Sequence, residues 1–212
     1  SFTNWDLLTP AKFVGGANYQ RLISDAEFWH TLKNTLRFLL GYVPLVMCIG
    51  LLVAVLLNSA IPLSHAFRVM YFVPVVTSWV AVALVWKWLY NPVYGLVNNA
   101  LSAIGVAGPA WLFDPNWAMP AVILTSVWKD TGFVMIIMLA GLQGIPREYY
   151  EAASIDGATR AQSLWSITIP LLAPTLVFCL SISLIGSFQV FDQVYVMTDG
   201  GPAGAPMVLV ER

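Results

Sequence analysis

Long apolar runs separated by polar stretches dominate this chain of 212 residues. A helix that crosses the hydrocarbon core of a membrane needs about 20 mainly apolar residues, because each residue rises about 1.5 Å through a core about 30 Å thick. These runs lack the period-two alternation of membrane strands, and a spanning backbone must satisfy its own hydrogen bonds, so we expect helices. The predicted spans cover residues 35–57, 67–90, 118–142 and 167–189.

The segments between the spans alternate between two faces of the membrane. The short loop 58–66 and the polar stretch 143–166 must share one face, whereas residues 1–34, 91–117 and 190–205 lie on the other. An excess of Lys and Arg usually marks the cytoplasmic face. This rule does not decide the orientation here, because basic residues occur near both faces. They are Arg68, Arg147 and Arg160 near the first, and Lys12, Arg21, Lys33, Arg37 and Lys87 near the second.

The two ends of the chain carry weaker patterns. Residues 17–32 repeat apolar positions at helical spacing, which predicts an amphipathic helix along the membrane surface or packed on the bundle. The first ten residues, SFTNWDLLTP, lack the initiator Met and the basic and apolar regions of a signal peptide. A new apolar run opens near Pro206 and stops at once. We therefore expect the chain to be a fragment of a larger membrane protein.

The composition agrees with a membrane protein. Hydrophobic residues make up 58% of the chain and charged residues 10%, whereas soluble domains have about 45–50% and about 25%. A formal net charge of −1 argues against a nucleic-acid partner. Cys48 and Cys179 lie in separate apolar runs, where free thiols behave as small hydrophobes, so no disulfide framework is indicated.

Motifs for catalysis are scarce. No GxxxxGK[ST] phosphate loop occurs, so the chain has no nucleotide site of that type. His30 and His65 fall on opposite faces, which disfavours a shared metal site. Ser126 and Lys129 have the SxxK spacing of some serine hydrolases, but the companion motifs SDN and KTG are absent. We therefore predict no catalytic residue and no metal ligand.

Two adjacent charges, Lys129 and Asp130, fall near the middle of the third predicted span. A charge at the centre of a spanning helix is costly, so such residues usually face a bundle interior or a water-filled path. One reading is a structural polar contact with a neighbouring span, and the other is a substrate pathway. Gln189, Asp192 and Gln193, at the end of the fourth predicted span, could reach the same pathway.

The polar stretch 143–166 predicts two short helices outside the membrane. Pro146 suits the first position of a helix, and Glu148 and Glu151 suit its first turns. Gly157 then separates this helix from a second short helix and can supply a left-handed turn between them. The alanines of this stretch leave a shallow surface that another protein can approach closely, although a connector packed only on its own bundle has the same pattern.

At this point the residues resemble a known family. Glu151-Ala152-Ala153, Gly157 and the segment 167–170, ITIP, are similar to the EAA signature of permease subunits of ATP-binding-cassette importers, with Ile169 replacing the usual Leu. The stretch GLQGIPREYYEAASIDGATRAQSLWSITIPLLAP is close to the form of the carbohydrate-uptake subfamily, the maltose and glycerol-phosphate type. SVWKDTGFVMIIMLAGLQ, FVGGANYQRLISDAEFWHTLKNTL and FDQVYVMTDGGP resemble the same subfamily, so the likeness covers essentially the whole chain.

The resemblance implies an all-α, polytopic helix bundle with about six spans, of which four are complete here. It implies an external juxtamembrane segment (1–34), a permease domain (35–205) with its EAA loop at 143–166, and the start of a truncated last span (206–212). The location implied is the bacterial cytoplasmic (inner) membrane. The implied partners are a second homologous permease, an ATPase dimer, an extracytoplasmic binding protein and the lipid bilayer. ATP and Mg are used by the ATPase, and this chain binds no cofactor.

In this family the EAA loop docks into the ATPase, whose closure on ATP switches the bundle between inward-facing and outward-facing states. The resemblance therefore implies a sugar importer and assigns ATPase coupling to Glu151, Ala152, Ala153, Asp156, Gly157, Arg160, Ile167 and Pro170. The alternatives are an intramembrane enzyme that uses Ser126, Lys129 and Asp130, and a passive channel bundle.

Overall fold

The computed structural model describes residues 2–4, 10, 12–59, 63–190 and 192–198. In this part of the chain α-helices predominate, and the one sheet is an antiparallel pair of two-residue strands, β1 (Thr3–Asn4) and β2 (Lys12–Phe13). The run predicted to open at Pro206 lies outside the described residues.

Three helical segments are long and apolar enough to cross a membrane: α2 (Ala26–Asn58), α6 (Ala118–Gln143) and the run Arg160–Phe188. That last run comprises α8 (Arg160–Ser163), a π-helical turn (Leu164–Thr168) and α9 (Ile169–Phe188). These segments contain the first, third and fourth predicted spans, so the structure confirms them.

The second predicted span is not one continuous helix. It consists of α3 (Ser64–Val76) and α4 (Trp79–Leu89), whose axes differ by 100°. Thr77 and Ser78 connect them with extended backbone, at ψ 139° in both residues. Pro74 predicts a kink, because it removes one backbone donor, but the chain leaves the helix only after Val76. The second predicted span is therefore present as a bent pair of helices, and its bend lies after Val76 and not at Pro74.

The first helical stretch also divides, into α1 (Ala17–Ser24) and the start of α2. Asp25 separates them, and its side chain accepts a hydrogen bond from the Glu27 amide at 2.9 Å. This is the usual geometry of a helix N-cap. The predicted continuous helix 17–32 is thus replaced by a short surface helix followed by the first turns of α2.

Helix α6 occupies the centre of the bundle and packs against α2, α3 and α9. Gly132 allows its closest approach, because a Cβ at this position would overlap the carbonyl oxygen of Tyr71 on α3. The core residues with least exposure include Phe38 and Val46 on α2 and Val122 and Met135 on α6. The hydrophobic contacts between α2 and α6 therefore form the middle of the fold.

The remaining helices lie at the ends of the bundle. Helix α5 (Leu96–Ala103) belongs to the segment that precedes α6, and Asn98 orders it by accepting a hydrogen bond from Trp111 Nε1 at 2.7 Å. Helix α7 (Arg147–Ile155) follows α6. Helix α10 (Asp192–Thr198) follows α9 and packs against α4.

Candidate functional site

The loop that carries the EAA-like residues is built from α7, a glycine turn and α8. Gly157 has a φ of 75°, in the left-handed region that favours glycine. The Gly157 amide donates to the carbonyl of Ser154 at 3.1 Å, and the Ala158 amide donates to that of Ala153 at 2.9 Å. This pair of bonds is a Schellman motif, which ends a helix by satisfying its last carbonyls. The predicted helix, glycine turn and second helix are therefore present.

The second helix of the loop begins at a capping box. The Gln162 amide donates to Thr159 Oγ1 at 3.3 Å, and the Thr159 amide donates to Gln162 Oε1 at 2.8 Å. Both bonds are local, so the start of this helix is fixed within the loop itself.

Most of the residues to which the resemblance assigns ATPase coupling lie on the surface. Glu151, Ala152, Asp156, Gly157, Arg160 and Pro170 are exposed, and Ala153 and Ile167 are partly buried. A depression of about 340 Å³ is lined by Ala153, Asp156, Gly157 and Ile167 together with Ala158, Gln162, Ser163 and Ser166. The small residues of the loop thus form a shallow concave surface, and its use by a partner stays a prediction.

One side-chain contact ties this loop to the spanning helices. The hydroxyl groups of Tyr150 on α7 and Thr168 in the π-helical turn are 3.0 Å apart, and Thr168 is buried. A cavity of about 560 Å³ between loop and bundle is lined by Tyr150, Thr168, Val55, Asn58 and Leu142, among others. The C-terminal end of α2 and the loop therefore lie at the same end of the bundle, as the alternation of the segments predicts.

A second candidate site lies inside the bundle, near the midpoint of α6. A cavity of about 260 Å³ is lined by residues from five parts of the chain. Helices α2, α4 and α6 contribute Phe38 and Tyr42, Trp79, and Asp130, respectively. The end of α9 contributes Gly186, Gln189 and Val190, and α10 contributes Gln193. Its wall combines three aromatic rings with a carboxylate and two amides. Such a mixture of apolar surface and a few convergent polar groups is typical of small-molecule sites.

Asp130 is held in the wall of this cavity by α2. The Tyr42 hydroxyl donates to Asp130 Oδ2 at 2.9 Å, and the ring of Tyr42 stacks on that of Phe38 with centroids 5.2 Å apart. One carboxylate oxygen is thereby oriented by a buried donor. The structure brings Asp130 and Gln189 together in this wall, as the sequence suggests for a pathway.

Lys129 takes a different direction from its neighbour. Its Nζ donates to the carbonyls of Pro74 and Val75 on α3, at 3.1 and 3.0 Å, and lies 4.9 Å from the centroid of the Trp79 ring. It is not among the residues that line the cavity. The side chain of Asp192 lies outside the described part of the structure. The pathway role suggested for Lys129, Asp130, Gln189 and Asp192 stays a prediction.

Comparison with known proteins now bears on this arrangement. Residues 26–212 match the family described as binding-protein-dependent transport system inner membrane component. The chain belongs to this family. Family membership confirms an all-α, multi-span protein integral to the membrane, and it fits a helix bundle with the exposed α7–α8 loop and the cavity beside Asp130.

Individual members of this transport family are similar over nearly the whole chain. The sulfoquinovosyl glycerol transport system permease protein SmoG of Agrobacterium fabrum is 38% identical over 94% of the chain and 65% of its own length. The trehalose/maltose transport system permease protein MalF of Thermococcus litoralis is 41% identical over 91% of the chain and 65% of its own length. The chain thus spans about two thirds of these relatives.

A solved structure of a transporter from this class shares the fold. The bacterial alginate transporter in complex with alginate pentasaccharide-bound periplasmic protein matches 91% of this chain and 67% of its own chain, with a TM-score of 0.81 and 30% identity. The overall arrangement of the helices is therefore that of an ATP-binding-cassette transporter permease.

The enzyme alternative has no support in this transport family or in the geometry. The buried Ser126 hydroxyl donates to the carbonyl of Val122 in its own helix at 2.9 Å, while Lys129 Nζ contacts α3. The two side chains are thus not arranged as nucleophile and base. Among the described residues, no cluster of three His, Cys, Asp or Glu could hold a metal ion.

Sequence reasoning missed the three aromatic residues of the cavity in this permease. Phe38, Tyr42 and Trp79 were assigned only to apolar spans, because aromatic residues are common there. One signal was available: Tyr42 places a hydroxyl near the centre of a span, and a buried Tyr hydroxyl usually has a hydrogen-bond partner. The charge of Asp130, in the third predicted span, was a candidate for that partner.

Proposed function

We propose that this chain is the membrane-spanning subunit of an ATP-driven importer for a sugar or a sugar-like solute. The observation that carries the proposal is the cavity lined by aromatic rings, the Asp130 carboxylate and two amides in a permease-family bundle. Support for the solute class comes from the names of relatives, which transport sulfoquinovosyl glycerol, trehalose and maltose, or, for the lactose permease protein LacF of Rhizobium radiobacter at 41% identity, lactose.

The chemistry of the cavity suits a carbohydrate. Sugar hydroxyl groups both donate and accept hydrogen bonds, and the amides of Gln189 and Gln193 can do the same, while the Asp130 carboxylate accepts. The rings of Phe38 and Trp79 offer apolar faces to the C–H groups of a sugar ring. A volume of about 260 Å³ suits one sugar unit at a time rather than a whole oligosaccharide.

The exposed loop is the proposed contact with an ATPase dimer. Its surface is concave and carries small residues at Ala153 and Gly157. The end of α7 and the start of α8 are both capped by bonds within the loop. Glu151, Ala152, Asp156 and Arg160 would border the docked partner, with Ile167 and Pro170 at the base of the loop. The partner would supply the site for ATP and Mg, and this chain would bind neither.

A mechanical path between loop and cavity follows from the contacts. Tyr150 on α7 meets Thr168 in the π-helical turn, which continues into α9, and the far end of α9 lines the cavity at Gly186 and Gln189. Displacement of the loop by the ATPase would therefore move one wall of the cavity. Such movement is the basis of alternating access, with a second permease opposite and a binding protein delivering solute from outside.

The test uses the full-length permease assembled with its second permease, ATPase and binding protein in proteoliposomes. We expect ATP-dependent uptake of a radiolabelled sugar from a panel that includes disaccharides and sugar glycerols. Gly157→Arg places a bulky charge in the docking surface and should abolish uptake and ATPase stimulation. Gly157→Asn is the matched control, since Asn tolerates the left-handed conformation, and it should retain most activity.

The outcomes separate the parts of the proposal. Uptake that does not depend on ATP would favour a passive channel instead of a pump. Equal uptake in the Arg and wild-type proteins would remove the docking role from Gly157. Asp130→Asn should raise the sugar concentration for half-maximal uptake, and an unchanged value would remove Asp130 from the solute site.

A further inference from the structure

The break between α3 and α4 leaves helix-end carbonyls within a segment that is apolar enough to span the membrane. A helix ends with carbonyls that lack partners in their own helix, and a membrane interior offers no water to satisfy them. Helix α3 ends at Val76, and the first of its last four carbonyls, that of Val73, accepts from Thr77 Oγ1 at 3.0 Å. The next two are those of Pro74, which accepts from the Thr77 amide at 3.3 Å, and Val75.

Lys129 supplies a side-chain donor to each of these two carbonyls, a second donor for Pro74 and the one shown for Val75. Its Nζ is 3.1 Å from the carbonyl oxygen of Pro74 and 3.0 Å from that of Val75, and the residue is only 4% exposed. A cation near a helix C-terminus is also favoured by the helix dipole. The ammonium group of α6 therefore acts as the C-terminal cap of α3.

The same ammonium group contacts the other side of the break. It lies 4.9 Å from the centroid of Trp79, the first residue of α4, within the range of a cation–π interaction. The Trp79 ring forms part of the cavity wall together with Asp130 and Tyr42. One side chain thus contacts the end of α3 and the start of α4, and the latter contact reaches the cavity.

The backbone of α6 is shaped for this contact. Gly132, three residues after Lys129, lies against the carbonyl of Tyr71, so α3 approaches α6 closely one turn from the capped end. Lys129 and Asp130 meanwhile diverge around the helix, the first toward α3 and the second toward Tyr42 on α2. Adjacent charges therefore contact the two helices on either side of α6.

We propose that Lys129 is a positioning residue for the solute cavity: by capping α3 and holding the Trp79 ring, it sets the aromatic wall opposite Asp130. Lys129 itself contacts no solute. The inference rests on the proposed function only in treating the cavity as the solute site, because the cap and the ring contact belong to this chain alone.

Two variants of the assembled transporter test the proposal through solute affinity. Lys129→Met keeps the length of the side chain but removes its donors and charge, and we expect the half-saturating sugar concentration to rise about tenfold, the effect of roughly one lost charge-assisted contact. Lys129→Arg keeps donors and charge and stacks on aromatic rings, so it should recover part of that loss. ATPase stimulation by the loaded binding protein should persist in both variants.

Trp79 supplies the readout that a merely structural lysine would not change. If Lys129 acts through the ring, Lys129→Met combined with Trp79→Leu should raise the half-saturating concentration no further than the worse single variant. If the rise in half-saturating concentration in the double variant equals the product of the rises in the two single variants, the residues act independently and the proposal is overturned. If Lys129→Met does not assemble, Lys129→Gln, which keeps amide donors for the carbonyls but no charge, is measured in the same cycle.

A solute-free measurement separates this inference from the proposed function. The protein is labelled with 5-fluorotryptophan, and the fluorine resonance of Trp79 is assigned by its loss in Trp79→Phe. We expect that resonance to shift in Lys129→Met and to move back in Lys129→Arg, and an unchanged resonance would overturn the positioning role. If the wild-type complex imports no sugar but the resonance still shifts in Lys129→Met, the proposed function is refuted and the contact between Lys129 and Trp79 is supported.

Discussion

The polar residues at the centre of α6 and those of the α7–α8 loop differ in where their hydrogen-bond partners lie. Lys129 is hydrogen-bonded to Pro74 on α3, 55 residues away in sequence, and Asp130 is hydrogen-bonded to Tyr42 on α2, 88 residues away. In the loop, Thr159 bonds to Gln162 and Gly157 to Ser154, both three residues apart. The centre of α6 is held by other helices, whereas the loop is held largely by itself.

This difference matches what each region is proposed to do. A self-contained loop can be displaced as a unit by a partner, because few of its contacts to the bundle have to break. The centre of α6 cannot move without disturbing α2 and α3 together. The contrast predicts that equivalent substitutions affect stability strongly in α6 and coupling strongly in the loop.

The largest effect is expected from Gly132→Ala. A Cβ would overlap the Tyr71 carbonyl, so α3 must shift, and we expect a destabilisation of about 3 kcal/mol, the upper range for overpacked cores. The thermal midpoint of the purified complex in detergent measures it. Gly186→Ala is the matched control, because no atom lies within 4 Å of its Cβ position. Equal midpoints for the two variants would contradict the close packing of α3 on α6.

A smaller loss is expected from Tyr42→Phe. It removes the donor to the Asp130 carboxylate, and a hydrogen bond to a charged group contributes about 2 kcal/mol. The same thermal measurement applies, together with sugar uptake, which should weaken because Asp130 loses its orientation. Tyr94→Phe, at an exposed tyrosine, should change neither quantity. If Tyr94→Phe lowered the thermal midpoint and sugar uptake as much as Tyr42→Phe, the hydrogen bond between Tyr42 and Asp130 would have no special role.

In the loop, Tyr150→Phe should cost about 1 kcal/mol, the typical net value of a neutral hydrogen bond. Its main consequence is expected in coupling, since the contact with Thr168 joins α7 to α9. We expect more ATP hydrolysed per sugar imported, measured by parallel phosphate-release and uptake assays. The adjacent Tyr149→Phe serves as the control. If Tyr150→Phe leaves the ratio of ATP hydrolysed to sugar imported unchanged, the contact between Tyr150 and Thr168 does not couple the loop to the bundle.

The smallest effect on stability is expected from Glu151→Gln, which should lie within about 0.5 kcal/mol of wild type, as for most surface substitutions. Affinity for the ATPase, measured by pull-down or by titration of ATPase stimulation, should nevertheless fall. Glu148→Gln, one turn earlier and also exposed, provides the comparison. A loss of affinity shared equally by both variants would point to general charge and not to the EAA-like position.

Sequence reasoning reached the parts of the fold that depend on local pattern. Span length, the alternation of faces and the helix, glycine turn and helix of the loop all follow from hydrophobic runs and from Pro146 and Gly157. The break at Thr77 and Ser78 was missed, because neither residue forbids a helix and the signal at Pro74 lies three residues earlier. The extended backbone there is supported by Lys129 from α6, a contact that no window along the sequence contains.

The candidate cavity shows the same limit. Asp130 and Gln189 could be proposed because polar groups within or beside spans are conspicuous. Trp79 and Phe38 could not, since an aromatic residue in an apolar run looks the same whether it faces lipid or a cavity. The helix that Lys129 contacts could not be predicted either. Adjacent positions on a helix point about 100° apart, so Lys129 and Asp130 must face different neighbours, but the sequence does not say which helix lies on which side.

The π-helical turn at Leu164–Thr168 determines which side of α9 faces the bundle. Its hydrogen bonds span five residues instead of four, so the turn holds an extra residue relative to an α-helix. Each residue of an α-helix advances the chain by about 100°. The buried positions Leu172, Cys179, Ser183 and Ser187 form one stripe on α9, and that stripe faces the bundle only with the extra residue in place. Removing one residue from Leu164–Thr168 would rotate the whole helix by more than a quarter turn, presenting Ser183 and Ser187 to lipid.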